Sequence, residues 1–269
     1  MTDQITVAAV VTALGLPPEA RVDQRVPKKL LVEQGAPTAS DKRQIQDGIE
    51  ELLWIAALKP TNIGVPAFRG KDGDVEREYL EIAVLTTNLR AKARAARLME
   101  LIHRAIPYPL LLIAESDAAV VLSLAHKRQA QNEAGKVVIE DLRKTELRVV
   151  DKAGGEQAPV RAAFLATLVL SSLPSRDLFA LYQGWIDRVM ALEASRITGT
   201  YAPPGSEARS AAVRDGLDAH ARLTREVALL RTQAEKEKQM NRRVDLNLQI
   251  KQLEAELASH ADKLRTHAD

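Results

Sequence analysis

IPYPLLLIAESDAAVVLSLAHKR, residues 106–128, is the stretch that decides the fold class of this chain. Pro107 and Pro109 exclude a continuing helix and favour an extended start. The apolar runs 110–114 and 119–125 flank a short polar turn, which is typical of an antiparallel β-hairpin. Because both runs are almost continuously apolar, we expect the hairpin at the centre of a sheet that helices cover on both faces.

The rest of the sequence fits the α+β class, with a mixed or antiparallel sheet covered by helices and a long C-terminal helical, coiled-coil-like arm. Apolar residues at helical spacing predict helices over 6–14, 41–59, 87–105, 160–173 and 175–197. Short apolar or alternating runs predict further strands over 78–85, 137–139 and 147–150. We divide the chain into a globular domain at 1–197, a linker with glycine and proline at 198–210, and an arm at 211–269.

The composition excludes several classes of function. The 269 residues include 38 basic and 36 acidic side chains, a formal net charge of +2, so any nucleic-acid-binding surface must be local. The absence of cysteine excludes disulfides and cysteine metal sites. No apolar run reaches the roughly 18 residues of a membrane span, and the N-terminus lacks the basic start of a signal peptide. We therefore expect a cytoplasmic protein without a membrane partner.

The predicted helix 87–105 contains a row of arginines that would lie within a narrow arc of its surface. The row consists of Arg90, Arg94, Arg97 and Arg104, and two further cations, Lys127 and Arg128, close the hairpin. A solvated arginine face is one interpretation, because exposed helix faces are commonly charged. The alternative is a surface that binds nucleic-acid phosphate or an acidic partner. These six side chains are therefore weak candidates for nucleic-acid binding.

The arm contains neither proline nor glycine after Gly216, which predicts about 50 helical residues. A first apolar series packs back onto the globular domain in one interpretation. A second series would be exposed if the arm stood alone, and it consists of Leu246, Ile250, Leu253 and Leu257. Because apolar stripes of this length rarely stay in water, we expect another chain to cover it. The second series is thus the predicted partner interface, either with a second copy or with another subunit.

Known catalytic constellations are missing from the sequence. None of the five histidines is followed by another histidine four residues later, as a helical metal-binding motif would require. We therefore expect no metal, cofactor or catalytic residue. A divergent metal-dependent nuclease remains an alternative, because Glu78 and Glu81 lie on a predicted strand. Against it, Ala83 occupies the position that would need a lysine, and Glu140, Asp141 and Lys144 have the wrong spacing.

Three stretches together resemble one bacterial family, the domain of unknown function four-three-nine-one. They are LKPTNIGV at 58–65, IPYPLLLI at 106–113 and EKQMNRRVDLN at 237–247. The last stretch has Met240 where the family usually has an aromatic residue, and methionine fills a similar apolar position. The resemblance implies proximity to Swi/Snf-type helicases and DNA methyltransferases in restriction-like and phage-defence gene clusters.

With this resemblance, the expected function is a non-catalytic accessory or assembly subunit of a bacterial DNA-targeting defence or restriction-like system. The arm would join it to a helicase or methyltransferase subunit or to a second copy, and the globular domain would contact DNA. Two alternatives stay open, the divergent nuclease and a self-associating scaffold with no nucleic-acid role.

Overall fold

The computed structural model describes residues 5–72, 75–117, 119–129, 137–148 and 158–266. The chain forms two compact units, Met1–Val189 and Met190–Asp269. The helices are α1 Val7–Ala13, α2 Lys28–Gly35, α3 Ala39–Gly48, α4 Pro60–Ile63, α5 Ala95–Ala105, α6 Ala158–Thr167, α7 Leu178–Thr198, α8 Glu207–Lys236 and α9 Met240–Thr266. The strands are β1 Arg21–Arg25, β2 Ile49–Leu58, β3 Phe68–Asp72, β4 Val75–Tyr79, β5 Ile82–Leu89, β6 Leu110–Ser116, β7 Ala119–Gln129 and β8 Val137–Arg148.

The first unit is built on a six-stranded sheet with the order β1-β2-β5-β6-β7-β8. Its centre contains the predicted hairpin, in which β6 pairs antiparallel with β7 and Leu112 lies opposite Ser123. β5 and β6 are parallel and α5 connects them, so the sheet is mixed. A separate two-stranded sheet consists of β3 and β4. The α+β class and the mixed sheet are confirmed.

Helices cover both faces of the sheet at the hairpin, as its apolar sequence predicts. On one face, Leu31 of α2, Ile45 of α3 and Ile102 of α5 form a buried cluster with Leu85 and Leu112. On the other face, α7 contributes Tyr182, whose hydroxyl donates to the carbonyl oxygen of Leu110 at 2.8 Å. The same hydroxyl accepts from the N–H of Ala125 at 2.9 Å, which fastens α7 to both strands of the hairpin.

The helix predicted over 41–59 is confirmed up to Gly48 and wrong beyond it. α3 ends at Gly48, and the run that follows becomes β2, paired with β1 on one side and β5 on the other. The apolar run 52–58 fits a buried strand as well as a helix, because periodicity cannot separate the two in short apolar segments. Pairing with two neighbouring strands decides in favour of the strand.

The predicted helix over 87–105 is too long. β5 continues through Leu89, since Thr86 and Thr87 suit a strand, and α5 begins only at Ala95. Between them Lys92 has a φ of 64°, in the left-handed region that side chains other than glycine rarely adopt. The strand predicted over 78–85 is divided between β4 and β5, and the runs 137–139 and 147–150 belong to β8, with 149–150 outside the described residues.

The second unit contains an antiparallel helical hairpin. α8 ends at Lys236, Glu237 has extended backbone angles, and α9 begins at Met240, so the predicted continuous arm reverses direction. The guanidinium of Arg231 contacts the carboxylate of Glu254 at 2.6 Å across the two helices. Inside the hairpin, Val227 and Ala234 of α8 form a core with Ile250 of α9.

The predicted partner interface lies in this core. Ile250 is buried, and three partly buried leucines of α9 pack against the same cluster, namely Leu246, Leu253 and Leu257. The expectation that another chain covers these residues is therefore wrong, because they pack against α8 of the same chain. A membrane span requires about 20 mostly apolar residues in one helix, and the helices in the described part of the chain do not meet this requirement.

Candidate nucleic-acid interface

A cleft of about 410 Å³ opens between α3 and the loop that connects β5 to α5. Four cationic side chains line it, Arg43 from α3 and Arg90, Lys92 and Arg94 from the loop. We call this feature the basic cleft. Asp47 is the one carboxylate among the residues that line it, so its local charge is positive although the whole chain is almost neutral.

The cations of the basic cleft have few acidic partners. All four are exposed, and in the described part of the chain no carboxylate forms an ion pair with Arg43, Lys92 or Arg94. The guanidinium of Arg90 donates to the backbone carbonyl oxygen of Asp47 at 3.3 Å, which orients its side chain at the edge of the cleft. Three guanidinium groups and one ammonium are thus available to an anion.

Further cations lie beside the cleft. The ammonium of Lys28 on α2 donates to the carbonyl oxygen of Gln46 at 3.1 Å. Its pKa is lowered, first by burial and then by repulsion from Arg90 and Arg25. The part of this lowering that comes from Arg90 and Arg25 shows that cations are crowded beside the cleft.

The start of α5 contributes to the same field. Arg94 is its N-cap residue, no side chain caps the first turn, and no acidic residue lies there. The first turn of α5 therefore contains no carboxylate of its own that would compensate the positive end of the helix dipole. The end of β5 at Leu89 sets the position of the three loop cations, because they lie between this strand and the start of α5.

The predicted arginine row does not exist as a row. Arg90 and Arg94 lie before α5, and Arg97 on α5 is bound by carboxylates. Its guanidinium donates to both carboxylate oxygens of Asp41 at 2.9 Å and to Glu100 at 2.8 Å. Hydrogen bonds from Arg97 and Thr38 lower the pKa of Asp41 to about 2. Arg104 pairs with Glu100 at 2.9 Å, so these two arginines are poor phosphate ligands.

Lys127 and Arg128 lie elsewhere in the fold. Lys127 is 4% exposed, and its ammonium donates to the carbonyl oxygens of Ile106 and Tyr108 at 2.5 and 2.6 Å. Burial lowers its pKa to about 7. The prediction that Lys127 contacts phosphate is therefore wrong, because its charge is enclosed by the protein. Arg128 pairs with Glu140 at 2.7 Å.

The carboxylates considered for a nuclease are engaged with cations. Glu78 lies 2.7 Å from Arg69, and Glu81 lies 3.2 Å from Lys59. Glu140 contacts Arg77 at 2.9 Å as well as Arg128. Among the described residues, no group of three or more histidine or acidic side chains is arranged to hold a metal ion.

Sequence reasoning missed Arg43 and Lys92. Arg43 lay in a helix predicted to extend to residue 59, and nothing in its neighbourhood pointed to the loop after β5. Only the packing of α3 beside α5 brings the two segments together. The sequence did contain a usable signal, because residues 90–94, RAKAR, include three cations and no acidic residue.

The three stretches that support the family resemblance belong to different elements of the fold. Residues 58–65 run from the last position of β2 through α4, 106–113 lead into β6, and 237–247 contain the turn of the helical hairpin and the start of α9. No curated protein and no solved structure matches the chain. Residues 14–257 match the family described as Domain of unknown function (DUF4391), and the chain therefore belongs to that family.

Proposed function

We propose that this protein is a non-catalytic accessory subunit of a bacterial DNA-targeting defence or restriction-like system, which contacts DNA through the basic cleft. The observation that supports the proposal most is the set of four cations around one concave site with Asp47 as the one lining carboxylate. Arginine binds phosphate with two parallel hydrogen bonds, and release of counterions from DNA favours such contacts.

Binding fits the basic cleft better than hydrolysis does. A metal-dependent nuclease needs several carboxylates around the scissile phosphate, and the cleft lining offers Asp47 alone. No histidine lines the cleft that could act as a general base. The arrangement attracts phosphate without supplying groups that would break a phosphodiester bond.

The helical hairpin of the second unit supports an assembly role. Beyond the hairpin core, α9 has three exposed apolar side chains four residues apart, Met240, Val244 and Leu248, which are 63%, 49% and 57% exposed. This spacing places them on one side of α9, where a partner helix could pack. We therefore place the partner contact of the proposed subunit on this outer side and not on the predicted series that packs against α8.

A DNA-binding and cleavage experiment on the purified full-length chain tests the proposal. We expect binding to a labelled oligonucleotide that weakens steeply between 50 and 200 mM salt, and intact plasmid after incubation with Mg²⁺ or Mn²⁺. Plasmid nicking that disappears in Glu81→Ala would favour the nuclease alternative. Absence of DNA binding at low salt would favour the self-associating scaffold.

A further inference from the structure

We infer that the basic cleft binds the sugar–phosphate backbone of a single DNA strand and does not recognise its bases. This inference rests on the proposed function and specifies the form of nucleic acid that the cleft accepts. It depends on the shape of the site, on the side chains at its surface and on the shielding of one amide.

The shape of the site is the first argument. Proteins recognise bases in a duplex by inserting a helix or a β-ribbon into the major groove, which requires a protruding element. The basic cleft is instead a concavity of about 410 Å³ between α3 and the loop 90–94, within the range of about 300–1,000 Å³ typical of small-ligand sites. A strand segment can enter it, whereas a base-paired duplex is too wide.

The lining chemistry is the second argument. No aromatic side chain lines the cleft, so it offers no platform on which bases could stack. Gly48, Ala91 and Ala93 keep part of the wall small, which lets a backbone approach the flanking guanidinium groups. Charge and close approach are what a phosphodiester requires, and neither depends on base identity.

Gln44 provides the third argument. It is the lining side chain whose amide could recognise adenine through two hydrogen bonds, in which the amide oxygen accepts one and the amide nitrogen donates the other. Its Oε1 atom is shielded from solvent and has no hydrogen-bond partner. An oxygen in that position cannot face a base, so Gln44 does not supply the bidentate contact.

The loop offers a variant that separates binding from folding. Lys92 adopts a φ of 64°, which glycine tolerates better than lysine. Lys92→Gly should therefore fold at least as well as the wild type while it lacks one cation. Arg43→Gln/Arg94→Gln removes two further cations from opposite walls of the cleft.

The test is fluorescence anisotropy on the full-length protein with a thymidine oligonucleotide, a mixed-sequence oligonucleotide of equal length, and the corresponding duplex, in a salt series. We expect the single strands to bind at least tenfold more tightly than the duplex and to differ from each other by less than about threefold. The slope of log K against log salt should fall by about 0.7 for each contact removed. Circular dichroism establishes that each variant is folded.

The outcomes distinguish this inference from the proposed function. If no DNA of any form binds, both are overturned. If DNA binds but Lys92→Gly and the double variant bind as the wild type does, the inference fails together with the cleft assignment of the proposed function, because the DNA contact lies elsewhere, while a role on DNA stands. Tighter binding of the duplex, or a difference of more than tenfold between the two single-stranded sequences, also overturns the inference.

Discussion

Arg97 on α5 binds Asp41 near the start of α3 through two hydrogen bonds of 2.9 Å, although 56 residues separate them in the sequence. Thr38, the N-cap residue of α3, donates its hydroxyl to the same carboxylate at 2.8 Å. The pair joins α3, which forms one wall of the basic cleft, to α5, which directly follows the loop that forms the other wall. Arg97 thus acts on the cleft by positioning its walls, while Arg43 and Arg94 line it.

The first prediction concerns the acid stability that Asp41 provides. Its pKa is about 2 in the folded protein against an ordinary value of 3.8, so the unfolded chain binds the proton more tightly. The contribution of Asp41 is present above pH 4 and is lost as the pH falls from about 4 to about 2. Asp41→Asn should unfold more easily at pH 7 and show a shallower loss of stability below pH 4. Urea unfolding at a series of pH values measures both effects.

Arg97→Gln is the matched control, since it removes the group that lowers the pKa of Asp41 most. This variant should also lose less stability than the wild type as the pH falls from about 4 to about 2. If the free energy of unfolding of the wild type relative to either variant stays constant from pH 4 to pH 2, the pair does not stabilise the fold.

The second prediction concerns Lys127, whose pKa of about 7 lies below its ordinary value of 10.5. Between these two values the unfolded chain binds a proton that the folded protein does not, so stability rises with pH in this range. Lys127→Met keeps a similar volume and removes the titrating group. The free energy of unfolding of the wild type relative to this variant should increase from pH 7 to pH 10. A constant difference would contradict a neutral buried lysine.

The third prediction distinguishes the two sides of α9. Ile250 is 8% exposed in the hairpin core, whereas Leu248 is 57% exposed. Ile250→Ala should destabilise the hairpin by about 2 kcal/mol or more, because it leaves a cavity in the contact with α8. Leu248→Ala should change stability by less than about 0.5 kcal/mol. Hydrogen exchange of the α9 amides compares the two variants in the intact chain.

Equal protection of the α9 amides in both variants would contradict the packing of α9 on α8. It would also return the series from Leu246 to Leu257 to its predicted role as a surface that another chain covers. Loss of protection in Ile250→Ala alone would leave Met240, Val244 and Leu248 as the apolar residues available to a partner.

The hairpin at 106–128 was predictable because its signals are local: two prolines, two apolar runs and a polar turn. The segment 41–59 was not, because the same apolar run suits a helix or a buried strand, and pairing with β1 and β5 decides between them. Neither proline nor glycine marks the reversal at Glu237, and the local signal is the densely polar run 235–247 between the two apolar series of the arm.

The candidate site was half predictable. Arg90 and Arg94 were candidates from the local density of cations, but the same reasoning placed Arg97 and Arg104 beside them. Whether an arginine is available to a ligand depends on which carboxylates the fold brings to it. Asp41 reaches Arg97 only through the packing of α3 against α5, which no spacing within either helix reveals.

The most direct measurement of the central claim is the dissociation constant of one single-stranded oligonucleotide for two charge-reversal variants. Arg43→Glu/Arg94→Glu alters the basic cleft, and Lys71→Glu/Lys144→Glu makes the same change in net charge at exposed positions outside the cleft lining. We predict at least a tenfold weaker affinity for the first variant and less than a threefold change for the second. Equal losses in both variants would contradict the claim that the basic cleft is the DNA-binding site.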